Sequence, residues 1–73
     1  MQFNKPISYA SQSILDYLAQ SSEPQDLVAI TIATGLSYST VSTQTRLLSA
    51  QGLIERNRTG KVVTFRLKTQ EAI

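Results

Sequence analysis

A chain of 73 residues with a net charge of +2 is expected to form one domain, near the lower size limit for a self-sufficient hydrophobic core. It contains neither cysteine nor histidine, which excludes disulfides, the usual zinc sites and histidine-based general base catalysis, and fits a reducing compartment. Its five scattered acidic residues offer no nucleophile–base pair, so neither an enzyme nor a cofactor or metal site is expected.

No apolar run approaches the roughly 18 residues needed to span a bilayer, and Met1 to Pro6 lack the basic-then-apolar order of a signal peptide. A soluble cytoplasmic protein without membrane contact is the expectation. The charge is unevenly placed. In residues 1–45, Lys5 stands against Asp16, Glu23 and Asp26, a net −2; from residue 46 onward, Arg46, Arg56, Arg58, Lys61, Arg66 and Lys68 stand against Glu55 and Glu71, a net +4. Such polarity offers one face to a polyanion, although the ordinary solvation of a hairpin would produce the same count.

The first helix is expected over about residues 8–20. Ile7, Ala10, Ile14, Leu15 and Leu18 recur at three- and four-residue steps, and Ser8 is placed to cap them. Ser21 to Gln25 reads as a connection, because Pro24 cannot sit inside a helix and keeps Glu23 out of helical geometry. Asp26 then caps a short second helix whose core face is Leu27, Ile30 and Ala33. The β-branched Thr31, Ile32 and Thr34 make a strand a competitor here; the brevity of the run and the following Gly35 favour a helix closed by a left-handed residue. Leu36 would plug the turn.

Ser37 caps a third helix over about residues 38–50. At about 100° per residue from Val41, Thr45 and Leu48 fall within about 40° and form the inward stripe. Ser39, Ser42, Thr43 and Arg46 fall on the opposite side, a short and uncluttered polar patch; Leu47 departs from the pattern. Gly52 ends this helix. From Leu53 the period changes to alternation, with Val63, Phe65 and Leu67 on one side and Thr64, Arg66 and Lys68 on the other. Leu53-Ile54 and Val62 to Leu67 are therefore expected to form a two-stranded hairpin joined by a basic loop, residues 57–61. An isolated hairpin is marginal in water, so this one must lie on the helices through Ile54, Val63, Phe65 and Leu67. The domain is read as residues 1–73, with its core in about 8–68 and a frayed tail at 69–73.

Helix, helix, glycine turn, capped helix and basic hairpin together resemble the winged helix-turn-helix domains of prokaryotic transcriptional regulators, those of the MarR- and ArsR-like group above all. The residues carrying the likeness are Thr34-Gly35-Leu36-Ser37, Thr40-Val41-Ser42, Leu48, Gly52-Leu53-Ile54-Glu55-Arg56 and Thr64-Phe65-Arg66-Leu67. The resemblance implies an α+β, mainly α fold of three helices followed by a two-stranded wing. It also implies a small sequence-specific regulator of double-stranded DNA, a repressor or accessory switch factor, found at the nucleoid.

Carried over by position, the third helix would enter the major groove with Ser37, Tyr38, Ser39, Ser42, Thr43 and Arg46 facing DNA. Arg58 and Lys61 would meet the phosphates or the minor groove from the wing. The chemistry agrees: Arg46 can bond guanine O6 and N7 in bidentate fashion, and the small hydroxyls reach bases or phosphates. The amino end of the helix attracts phosphate through its free amides. Two departures from the family pattern matter. This recognition helix carries a single basic residue, and the sequence lacks the added helices that build the dimer and effector pocket in the MarR-like group. No small-molecule ligand is therefore expected. A homodimer would use the first helix, Leu47 or the terminal residues, or the chain would act beside a larger DNA-bound protein. A winged-helix adaptor that docks protein without DNA specificity is the alternative, and it predicts little salt dependence.

Overall fold

The computed structural model describes residues 8–68. The expected tail at 69–73, the upstream Pro6 and the Ile7 end of the first apolar stripe lie outside the described residues. In chain order the elements are α1 (Tyr9–Gln20), β1 (Gln25–Asp26), α2 (Leu27–Thr34), α3 (Tyr38–Ala50), β2 (Ile54–Thr59) and β3 (Val62–Leu67). The three expected helices and the hairpin are present, arranged as a winged helix.

Each helix begins where a short oxygen-bearing side chain can accept from an otherwise unpaired amide. The Ser8 hydroxyl accepts from the Ser11 amide at 3.1 Å, the Asp26 carboxylate from the Ala29 amide at 2.8 Å, and the Ser37 hydroxyl from the Thr40 amide at 3.2 Å. α2 ends at Gly35, whose φ of 75° is open to glycine at little cost. α3 ends in a Schellman arrangement, the Gly52 amide bonding Ser49 O and the Leu53 amide bonding Leu48 O, each at 3.0 Å.

The β-branched residues of α2 are accommodated because two of them serve the helix itself. Thr31 donates to Leu27 O and Thr34 to Ile30 O, both at 2.7 Å. The inward face differs from the expected one. Ile30 is buried and Leu27 partly so, but Ala33 is exposed. At about 100° per residue, Leu27, Thr34 and Ile30 share one arc, and Ala33 lies beyond its edge. Ile32 is 77% exposed.

Ile14 and Leu18 of α1, Ile30 of α2, Val41 and Leu48 of α3, Ile54 of β2 and Phe65 of β3 form the buried core, with Leu15, Tyr17, Leu27, Leu36 and Val63 packed around it. The predicted stripe of α3 is buried throughout. Thr45 is only 1% exposed, and its hydroxyl is satisfied by Ser42 O at 3.0 Å. Leu67 lies at the end of the sheet and is 37% exposed, so it contributes less to the core than the alternation suggests.

The sheet differs from the expected hairpin in two ways. First, Gln25 and Asp26, read from the sequence as connection and cap, add a third strand. The order is β1-β3-β2, all antiparallel, with Gln25 opposite Phe65 and Asp26 opposite Thr64. The extended backbone of the Asp26 N-cap keeps this dipeptide straight, and the free edge of β3 pairs with it. The Tyr17 hydroxyl donates to Gln25 Oε1 at 2.9 Å and ties the strand to α1. Second, the loop expected at 57–61 is shorter. Asn57, Arg58 and Thr59 continue β2 opposite Thr64, Val63 and Val62, so only Gly60 and Lys61 form the turn. Gly60 has φ 63° and no non-glycine residue described has positive φ, the pattern of a type II′ hairpin. Gly60 marked the turn correctly, but pairing with a β-branched partner strand pulled Asn57, Arg58 and Thr59 into the ladder.

Candidate nucleic-acid interface

The sequence supplies α3 with apolar or buried groups at one spacing and small polar groups at the other, and packing against α1 and α2 turns the second set outward. Ser39, Thr43 and Arg46 are exposed and Ser42 is half-buried. Ser37 is committed to capping: besides accepting from the Thr40 amide, its hydroxyl donates to Thr40 Oγ1 at 2.8 Å. Helix geometry leaves the amides of Tyr38 and Ser39 without intrahelical partners, pointing away from the first turn.

Tyr38, at the start of α3, and Lys61, in the hairpin turn, line one cleft of about 340 Å³ together with Asp26, Val28 and Val62. The helix start and the wing tip, 23 positions apart in sequence, thus meet on one side of the molecule. Arg58 does not sit in the turn; it lies on β2, and its Nε donates to Gly60 O at 3.0 Å, bracing the turn from beneath.

The sheet sorts the basic residues by face. Glu55 and Arg66 are cross-strand neighbours and form an ion pair, Nε to Oε1 at 2.8 Å, on exposed positions. Arg56 stands opposite Phe65 and Arg58 opposite Val63, so these two share the face that carries the buried aromatic ring. Arg56 consequently lines a second cleft, about 270 Å³, whose other wall is α3 with Ser42, Arg46 and Ser49.

The predicted residues therefore fall into three groups. Ser39, Ser42, Thr43 and Arg46 share the outer face of α3. Tyr38 and Lys61 meet across a cleft. Ser37 and Arg58 have structural bonds of their own. Sequence reading placed Arg56 outside the site. The signal that finds it is the two-residue alternation running from buried Ile54 through Arg56 to Arg58, opposite the apolar side of β3.

No described helix is long and apolar enough to cross a membrane, and the described residues contain no cluster of three metal-ligating side chains.

Comparison with known proteins places this geometry. Residues 12–58 match the IclR helix-turn-helix domain, and no curated protein matches the chain. The homodimeric winged helix-turn-helix DNA-binding domain of a possible ArsR-family transcriptional regulator from Mycobacterium bovis, solved in solution, is 34% identical with a TM-score of 0.70 over 80% of this chain. The crystal structure of the same fragment is 33% identical with a TM-score of 0.72 over 82%. The chain spans 52% and 62% of those two structures. Two further likenesses concern the fold alone. ZitR, a zinc-responsive MarR family member from Lactococcus lactis, is 24% identical with a TM-score of 0.74, over 92% of this chain and 47% of that one. The Zalpha domain of Carassius auratus PKZ, solved with Z-DNA, is 22% identical with a TM-score of 0.71, over 81% of this chain and 92% of that one.

Proposed function

Because the chain belongs to the IclR helix-turn-helix domain family, a winged-helix DNA-binding domain, we propose that it is the sequence-specific reading head of a transcriptional regulator. α3 enters the major groove of double-stranded DNA. Arg46 reads a guanine edge through its two parallel donors, while Ser39, Ser42 and Thr43 contact neighbouring bases or phosphates. The amides at the start of α3 hold a backbone phosphate with Tyr38 beside them. Lys61 follows the backbone or the adjoining minor groove from the wing, and Arg58 stiffens the turn that carries it.

The observation supporting this reading most is the sorting of charge. Arg46 lies among small polar groups of α3 and Lys61 shares a cleft with Tyr38 at the start of that helix, while Arg66 is neutralised by Glu55 on the sheet's other face. Two protomers with their α3 helices about 34 Å apart would read a roughly palindromic site; the homodimeric state of the Mycobacterium bovis relative supports that arrangement.

Fluorescence anisotropy of a labelled duplex at about 50 and 200 mM salt tests the reading. The expected log–log slope is about −3 to −5, for three to five phosphates per protomer. A selected site should bind about 10³-fold or more tightly than random duplex. Absence of binding at the lower salt would instead favour a protein-docking module.

A further inference from the structure

We propose that the cleft between α3 and the sheet seats one phosphodiester of the DNA backbone, and that Arg56, facing Arg46 across it, is a DNA-binding residue. The inference rests on the reading of α3 as the groove-entering helix and adds a contact to it. Three observations converge on this cleft.

The first is its place. With α3 in a major groove and the Gly60–Lys61 turn on the neighbouring minor groove, the sugar-phosphate ridge between the two grooves has to cross the space between helix and sheet. That space is the cleft of about 270 Å³ lined by Ser42, Arg46, Ser49 and Arg56. The second is register. Arg56 is directly opposite Phe65, so its side chain leaves the sheet on the helix side, over a floor that includes Phe65 and Val63.

The third is unbalanced charge. Two guanidinium groups line one cleft, and the four acids of the described residues are elsewhere. Glu55 is bonded to Arg66 on the opposite face, Asp26 caps α2, Asp16 accepts from Gln12, and Glu23 lies in the α1–β1 connection. The planar fork of Arg56 matches a phosphate group, and the nearby charge of Arg46, whose own fork is on the guanine edge, favours an anion there.

Methylphosphonate scanning tests the assignment. Single neutral linkages are placed along the backbone of a duplex carrying a selected site, and the binding of the parent is compared with that of Arg56→Ala and Arg56→Lys. At one linkage between the two grooves, neutralisation should weaken the parent about ten-fold and leave Arg56→Ala unchanged. Arg56→Lys should fall between them, because it keeps the charge and loses the fork. Arg56 is exposed and outside the core, and thermal melting of each variant checks that folding is intact.

If every linkage affected parent and Arg56→Ala alike, or if Arg56→Ala bound DNA as tightly as the parent, the assignment would be overturned while the broader reading stood. Saturable binding of inorganic phosphate to the free protein, lost in Arg56→Ala, together with purely additive scanning, would make this a free-anion site and also overturn it. Failure of the parent to bind any duplex would remove the broader reading itself, and is recognised before any variant is compared.

Discussion

The hydroxyl of Ser11 on α1 donates to the side-chain oxygen of Gln44 on α3, a link between helices 33 residues apart in sequence. Ser11 is buried, so this bond helps set how α3 is held against α1. Ser11→Ala is expected to destabilise the domain by about 1 kcal/mol. The corresponding fall in melting temperature, roughly 4–8 °C for a domain of this size, is readable by circular dichroism. An unchanged melting curve would show that the bond adds nothing beyond what water supplies.

Gly35→Ala should cost about 1–2 kcal/mol, because φ 75° places an added Cβ against its own backbone. A Cβ built there meets nothing within 4 Å, so crowding adds nothing to that strain. Gly35→Asn should lose less, since asparagine tolerates the left-handed region better. Equal losses in chemical denaturation would count against backbone strain as the cause.

Arg46→Ala is expected to weaken binding to a selected site by about 1–3 kcal/mol and to relax preference at a single base pair. Competition with a set of singly substituted duplexes measures both. Uniform weakening at every position would demote Arg46 from base reader to phosphate contact.

Lys61→Ala should weaken all sequences similarly and reduce the magnitude of the salt slope by about one. Arg66→Ala is the matched control. Its guanidinium is paired with Glu55 on the other face of the sheet, so the slope should not move. Equal effects of the two substitutions would contradict the sorting of charge by sheet face.

Sedimentation of the complex with a selected duplex should give two protomers per site. Leu47, 48% exposed on α3, and Ile32, 77% exposed on α2, are two exposed apolar side chains with which the contact can be mapped. If Leu47→Glu and Ile32→Glu each left the stoichiometry at two, neither would belong to the dimer surface; one protomer per site would refute the dimer itself.

What the sequence determined unaided was the local part of the fold. Ser8, Asp26 and Ser37 cap their helices because each needs only an oxygen on a short side chain and an amide one turn on. Gly35 ends α2 for an equally local reason. The burial of Val41, Thr45 and Leu48 follows from spacing along one helix, which also put Ser39, Thr43 and Arg46 on the outer face.

Tertiary structure decided whatever depends on a partner remote in the chain. Gln25 and Asp26 have no strand pattern of their own; they are a strand because β3 leaves an edge unpaired beside them. The wing turn shrinks to Gly60 and Lys61 because Val62, Val63 and Thr64 draw Asn57, Arg58 and Thr59 into pairing. Ala33 is exposed because the packing arc of α2 is centred nearer Ile30 and Leu27. Arg56 reaches the cleft beside Arg46 through strand register, which is set by the fit of Ile54 and Phe65 against the helices. Hydrogen-bond caps act over one helical turn and are written in adjacent residues, whereas register and cleft walls arise only when separate elements pack.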